Sequence, residues 1–538
     1  MRFQRSSGVL LHPTSLPGPY GAGDLGPEAF GFIEFLAAAG QKIWQVLPLN
    51  PTGYADSPYQ CFSAFAGNPL LISLERLAEQ GWLSEDDLAD VPELPTTSID
   101  YGAVIAFRFA KLRKAAARFF AAVECSPELT VHTFANGGRM RATNPLKPEE
   151  GLSGLVARGK AEYEKFCAEQ AGWLGDYALF MAAKDAHGGV AWTGWEPALA
   201  AREPAALVRW SERLAGEIAA YKFWQFEFFE QWGALREACK LRGIRIMGDV
   251  PIYVAHDSAD VWTAPELFWL DERGNPLKVS GVPPDYFSAT GQLWGNPTYR
   301  WDRIQADGFR WWIARLRGVM RLFDMVRIDH FRGFEAYFEI PAGEPTAVNG
   351  TWIKGPGMEL FEALEREFGA LPIVAENLGR ITPEVEAIRK HFDFPGMAIL
   401  QFAFGNDPQG PSFRPHNYER NLVAYTGGHD NDTTVGWWTS GIADSTRSEE
   451  EMRGERAFAG KYLNLRGEEI QWAMIRALMA SVADTVLIPM QDVLGLGSRA
   501  RMNRPGRMEG NWRWRYERGE LRPELALRLR ALTELYER

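Results

Sequence analysis

Arg327 and Asp329 stand two residues apart in the run Val326-Arg327-Ile328-Asp329-His330-Phe331-Arg332-Gly333. On an extended strand, residues two apart share a face, so these two point one way while Val326 and Ile328 point the other. A guanidinium beside a carboxylate favours its charged form and can hold it in one rotamer. A carboxylate nucleophile needs both. A purely structural Arg/Asp pair has the same spacing, so the pattern gains meaning only in company, and two further segments supply it. Pro372-Ile373-Val374-Ala375-Glu376-Asn377-Leu378-Gly379 is an apolar strand ending in a carboxylic acid and a glycine turn. Leu422-Val423-Ala424-Tyr425-Thr426-Gly427-Gly428-His429-Asp430-Asn431-Asp432 is another, ending in a polar cluster. An Asp, a Glu and a His-Asp pair at three strand ends suit covalent and general acid–base catalysis.

Something must hold these strand ends together. Eight apolar strand-like runs are present: Gly8–His12, Ile43–Pro48, Arg245–Tyr253, Met325–Asp329, Pro372–Glu376, Met397–Phe402, Leu422–Thr426 and Thr485–Gln491. Helical spacing lies between many of them, at Pro27–Ala39, Asp307–Leu322, Gly357–Phe368, Pro383–His391 and Glu468–Ala483. Eight β/α repeats predict a (β/α)8 TIM barrel, an α/β fold whose site lies at the carboxyl ends of the strands. The repeats divide the chain into 1–51 (strands 1 and 2), 52–242 (an insertion), 243–254 (strand 3), 255–301 (a second insertion) and 302–538 (the remaining strands and a last helix). The first insertion reads as mostly helical, with helical spacing over Ile105–Val123, Leu152–Asp185 and Pro204–Arg242 and a polar loop at Thr130–Glu149. The second, rich in Gly, Pro and aromatics without helical period, reads as a lid loop over the barrel mouth. Pro523–Arg538 reads as a closing helix with a solvated, salt-bridged face.

With 538 residues, the chain exceeds one ordinary core, which fits one large domain with insertions or two to three domains. A net charge of -11 disfavours nucleic-acid or anionic-membrane partners, which need a basic face. Cys61, Cys125, Cys167 and Cys239 are isolated, so neither a zinc site nor a disulfide framework is expected. No run of oxygen ligands resembles a calcium loop, and no cofactor is expected. The apolar start, Gly8 to Leu11, is too short for a signal core, and no stretch approaches a membrane span, so a cytoplasmic setting is expected. The 20 Trp residues raise the prospect of a carbohydrate ligand, because flat aromatic platforms suit the apolar face of a pyranose.

Ordered motifs extend along the whole chain: Gly8–Pro17 (GVLLHPTSLP), Asp56–Gln60 (DSPYQ), Ser63–Pro69 (SAFAGNP), Trp173–Phe180 (WLGDYALF), Gly248–Val254 (GDVPIYV), Gly281–Phe287 (GVPPDYF), Gln292–Pro297 (QLWGNP) and Arg501–Gly506 (RMNRPG). With the three strand ends, they closely resemble the 4-α-glucanotransferases known as amylomaltases or disproportionating enzymes, glycoside hydrolase family 77 of the α-amylase superfamily. The resemblance implies that Asp329 is the nucleophile, Glu376 the general acid/base and Asp430 a third carboxylate that holds sugar hydroxyls. It implies that Arg327, His330 and His429 line the donor site, with Asp249 below them. Trp294 and Asn296 fall in a matching loop motif and Asn503 in the motif after the last strand. Tyr59 and the pair Tyr286 and Phe287 are expected on the acceptor side and lid. Gly428 departs from the hydroxyl residue that many relatives carry.

The expected reaction moves an α-1,4-glucan segment from a maltooligosaccharide, starch or glycogen chain to the 4-OH of an acceptor, through a covalent glycosyl-enzyme. Retention requires two carboxyl groups about 5–5.5 Å apart, a spacing that neighbouring barrel strands can supply. The alternatives are an α-1,4-glucan hydrolase with the same carboxylates and a non-catalytic glucan-binding barrel. A phosphate site at Gly495-Leu496-Gly497 is the weakest reading, since a lone GxG more often makes a tight turn.

Overall fold

Ile43, Met247, Met325, Val374, Val423 and Leu487 lie far apart in sequence yet pack into one buried cluster. Strands must close around them for this to happen. The computed structural model describes residues 3–125, 152–284, 288, 290–441 and 448–538. Among these the strands, in chain order, are β1 (Ser6–Leu10), β2 (Ile43–Gln45), β3 (Arg245–Pro251), β4 (Lys278–Val282), β5 (Gln292–Pro297), β6 (Met325–Asp329), β7 (Ala336–Pro341), β8 (Thr351–Lys354), β9 (Ile373–Ala375), β10 (Gly396–Ile399), β11 (Leu422–Tyr425) and β12 (Thr485–Pro489). Eight of them form a parallel sheet in the order β10-β11-β12-β1-β2-β3-β6-β9. Ala375 N donates to Pro395 O at 2.9 Å, joining β9 to the chain entering β10 and closing the ring. The fold is a (β/α)8 barrel.

Strand alternation sorts the side chains. Met325 faces the interior cluster, while Val326 and Ile328 join the larger core outside the barrel. Two residues above the apolar plug the interior turns polar: Gln45 follows Ile43, Asp249 follows Met247, Arg327 follows Met325 and Tyr425 follows Val423. The inward-facing positions therefore form a dry floor with a polar layer above it, at the carboxyl ends where barrel sites lie.

Between β2 and β3 the chain forms helices, among them Tyr101–Cys125, Leu152–Glu169, Leu174–Ala186, Pro204–Arg213 and Ala215–Leu241. They share an aromatic core in which Phe119 stacks on Phe223 at 4.7 Å and Trp224 Nε1 donates to Leu112 O at 3.0 Å. The helical runs expected over Leu152–Asp185 and Pro204–Arg242 are each split in two. Trp173 and Leu214, at the breaks, still pack against the core, so the apolar pattern continues while the helices end. The loop expected at Thr130–Glu149 lies outside the described residues. No helix among the described residues is long and apolar enough to cross a membrane.

The segment 255–301 differs most from its sequence reading. It is not a plain loop: it contributes β4 and β5 to a four-stranded antiparallel sheet, in the order β5-β4-β7-β8, whose other strands follow β6. The β4–β5 register slips between Val279 and Gly281, and such a bulge breaks the period-two pattern that marks a strand in sequence.

At Gly8, next to Ile43 in the barrel register, an added Cβ would lie 2.2 Å from the Ile43 carbonyl oxygen. A neighbouring backbone cannot yield as a side chain can. Gly8→Ala is expected to destabilise the barrel by about 1–3 kcal/mol, the usual cost of overpacking. A thermal midpoint equal to that of the parent would contradict this packing.

Candidate active site

The floor of the site is one cation between two anions. The β3–β6 register sets Asp249 beside Arg327. Arg327 Nη1 donates to both Asp249 oxygens at 2.9 and 2.6 Å, and its Nη2 donates to Asp329 Oδ1 at 2.7 Å. Asp249 is fully buried, Arg327 nearly so, and Asp329 at the rim keeps 30% of its side chain exposed. Burial lifts the Asp249 pKa, and Arg327 opposes that lift. Burial would weaken the charge on Arg327, but the flanking carboxylates outweigh it and raise its pKa well above the ordinary value.

Glu376 extends the same geometry to the next strand. β6 and β9 pair Ile328 with Ala375, so Asp329 and Glu376 are the next residues on adjacent strands. The Glu376 carboxylate accepts from His330 N and from Leu378 N, both at 2.8 Å. His330 itself adopts a left-handed conformation, φ 52°, unusual for a residue with a Cβ, which turns the chain that follows. Burial pushes the Glu376 pKa up to about 7; Arg327 and the two N–H donors work against that rise, and Asp329 adds to it. The His330 ring, buried under the edge of Trp294 at 4.9 Å, is pushed down to about 4 by burial and is neutral.

The third strand end closes the ring. His429 Nε2 lies 3.3 Å from Asp430 Oδ2, and Asn503 Nδ2 donates to Asp430 Oδ1 at 2.6 Å. Burial acts to raise the Asp430 pKa, but His429, the Asn503 hydrogen bond and Arg327 together hold it well below the usual carboxylate range. Burial depresses His429, yet its net pKa is raised by the neighbouring Asp430 and Asp249, with Arg327 opposing. Tyr59 stands beside this group. Its hydroxyl donates to Asp249 Oδ2 at 2.9 Å, and its ring stacks on His429 at 5.0 Å.

Asn296 is buried. Its amide exchanges hydrogen bonds with Gln60 at 3.0 and 3.3 Å and donates to Val254 O at 2.9 Å, so it ties the 51–62 loop to β5. Tyr286 and Phe287 lie outside the described residues. The sequence reading missed what secures the turn after Asp329. Arg332 bonds the backbone oxygen of Arg380, beyond Glu376, and lies 3.8 Å from the centroid of the Trp352 ring on β8. Gly355 N donates to Glu335 O at 2.9 Å and Gly357 N to Phe334 O at 2.8 Å. The small sheet thus grips this turn at two points, Trp294 on His330 and Trp352 on Arg332. The only sequence signal was Arg332 itself, three residues after Asp329.

A profile of the 4-alpha-glucanotransferase family matches residues 11–521. Over the full length of both chains, the sequence is 50% identical to a 4-alpha-glucanotransferase of Thermus thermophilus. It is 48% identical to that of a Synechocystis species, covering 100% of this chain and 99% of the relative. The chain belongs to this family. Among solved structures, an amylomaltase from Streptococcus agalactiae in complex with acarbose superposes with a TM-score of 0.88 at 38% identity, covering 99% of this chain and 100% of that one. The family match spans every residue of the site described above, from Tyr59 to Asn503.

Removing Arg327 leaves Asp249 buried without its partner, and breaking such a pair typically costs about 3–5 kcal/mol. Arg327→Met should therefore lower the thermal midpoint strongly, and adding Asp249→Leu should restore part of the loss. A double variant less stable than the single would show that the pair is not what the floor depends on.

Proposed function

We propose that the chain carries out its family's reaction, moving α-1,4-glucan segments between chains by a retaining double displacement on Asp329 and Glu376. It is an enzyme of the 4-alpha-glucanotransferase class, acting on maltooligosaccharides and starch- or glycogen-type glucans, and we place it in the cytoplasm. The observation that carries the mechanism is the split between two carboxyls on adjacent strands. Asp329 bonds a guanidinium at 2.7 Å, while burial lifts Glu376 to about 7. Adjacent parallel strands run about 4.8 Å apart, which suits the separation of about 5–5.5 Å that retention requires.

In the first step the Asp329 carboxylate attacks the anomeric carbon of the donor glucose. Glu376, protonated, gives its proton to the departing 4-oxygen. The glycosyl–Asp329 ester then meets an acceptor, and Glu376, now ionised, takes the proton of the incoming 4-OH as the new glycosidic bond forms and the ester breaks. Asp430 and His429 receive the hydroxyls of the donor ring, and Asn503 fixes the carboxylate that does so. Trp294, half exposed beside His330, offers an apolar face next to the reacting centre. A sugar 4-OH held by such a surface competes with water because it arrives oriented.

Glu376→Gln keeps the carboxamide near the same N–H donors but removes the proton. Transfer from maltotriose should fall by on the order of 10²–10⁴-fold, the usual worth of a general acid. A donor with a good leaving group, such as a maltosyl fluoride, should lose much less in the first step. Equal losses with both donors would remove Glu376 from this role. Asp329→Asn should abolish both reactions, because no ester can form; the check is the product ladder from maltotriose, which also distinguishes transfer from release of glucose.

The raised Glu376 pKa sets a sign for the pH profile. The first step needs the protonated acid, so kcat/KM for the donor should decline as pH rises through about 7, the Glu376 value. A basic limb that is absent, or unchanged in Glu376→Gln with the activated donor, would contradict the assignment.

A further inference from the structure

The loop that carries His429 and Asp430 begins after Thr426 with Gly427 and Gly428 and ends at Thr434, the first residue of a short helix, Thr434–Thr439. Two consecutive glycines give its start little stiffness of its own. Nor is it packed solid behind: a cavity of about 30 Å³, lined by His12, Asp432, Asp492 and Arg501 among others, lies against it. Arg501, Asn503, Gln401 and Ser498 bond its middle, and how firmly the loop as a whole is placed then depends on what fixes its ends.

Both ends meet on one carboxylate. Asp492, in the turn Met490–Leu494 after β12, is 1% exposed. Its Oδ2 accepts from the Thr426 hydroxyl at 2.5 Å and from the Thr434 hydroxyl at 2.7 Å, while its Oδ1 accepts from Thr434 N at 2.7 Å. All three of these donors are neutral. Burial raises its pKa, and Asp432, the nearest like charge, adds to that rise. A scaffold that needed only to fill this space could use an apolar side chain at less cost. A carboxylate held by three hydrogen bonds fixes the two chain ends in position relative to each other.

We propose that Asp492 is a positioning residue, which by holding both ends of the 427–433 loop sets where His429 and Asp430 meet the donor sugar. The inference rests on the glucan-transfer reading of the site. His429 and Asp430 are most useful when the ring distorts, so displacing them should slow turnover more than it weakens binding. A shift of about 1 Å in such groups can cost on the order of 10²-fold.

The test is steady-state transfer from maltotriose by the parent and by variants, each expressed per folded molecule. Asp492→Ala should lower kcat by about 10²-fold with KM changed far less. In Asp492→Asn the Thr hydroxyls can turn to accept from the new amide, so all three contacts persist and kcat should return to within about a factor of ten of the parent. If Asp492→Ala does not fold, Thr434→Val, which keeps its N–H donation, should show the same split in milder form. Combined with His429→Asn, Asp492→Ala should add little further loss, because both act on one unit. A kcat per folded molecule equal to the parent's, or losses that simply multiply with His429→Asn, would reduce Asp492 to a structural role. A parent that itself transfers no glucan would instead overturn the reading of function.

Discussion

Everything at the mouth of this barrel is arranged around one buried guanidinium. Arg327 spans Asp249 and Asp329, and its field also reaches Glu376 and Asp430. Four carboxyl groups share this end of the barrel, and without a cation among them their mutual repulsion would keep several protonated. With the cation present, each carboxyl settles according to its own remaining neighbours. Lysine could supply the charge but not the fork: one flat group donates to two carboxylates in different directions, which a single ammonium cannot do with the same geometry. Desolvating this charge is costly, and the dry floor of Ile43, Met247, Met325 and Val374 beneath it ensures that water cannot share the expense.

Asp329 and Glu376 illustrate how neighbours separate chemically equal groups. Asp329 sits at the rim, part exposed, in direct contact with Arg327. Glu376 is wrapped by its own loop and takes two backbone N–H bonds, which favour its charged form, yet burial and the nearby Asp329 charge outweigh them. On the proposed mechanism this environment suits Glu376 to carry the proton, while Asp329 keeps its contact with the guanidinium. The left-handed His330 belongs to the same device. Its N–H bonds the acid on the next strand while its positive φ turns the chain that follows, and Trp294 and Trp352 anchor that turn from the small sheet.

The barrel was legible in the sequence because its strands are short apolar runs ended by polar residues and separated by helical spacing. Period alone placed Arg327 and Asp329 on one face. The partnership of Arg327 with Asp249 was not legible, since it depends on which strand lies beside β6, and between β3 and β6 stand loops, helices and the strands β4 and β5. The small antiparallel sheet was hidden for a different reason: β4 and β5 are each interrupted by a glycine and their pairing is bulged, so no clean alternation survives in them. Asn296 and Tyr59 carry the same lesson for single residues. A motif can mark a position as special without saying what the side chain bonds, and here one amide holds a loop while the phenol bonds Asp249 and stacks on His429.

Such a site is built from loops, yet it needs the precision of a core. The structure resolves that tension by tying each loop to a neighbouring segment. The 51–62 loop is tied to β5 through the Gln60–Asn296 amide pair, and the turn after Asp329 to β5 and β8 through tryptophans. The Asp430 loop is tied to the segment after β12, where Arg501 Nη2 holds the Asp430 carbonyl at 2.6 Å and Asn503 the carboxylate. In each case the tie is polar or aromatic rather than a packed aliphatic contact. Directional contacts fix orientation, which burial alone does not, and orientation is what separates a sugar hydroxyl from water when both can reach the same ester. The insertions that interrupt the barrel are therefore part of how the strand ends become a defined site.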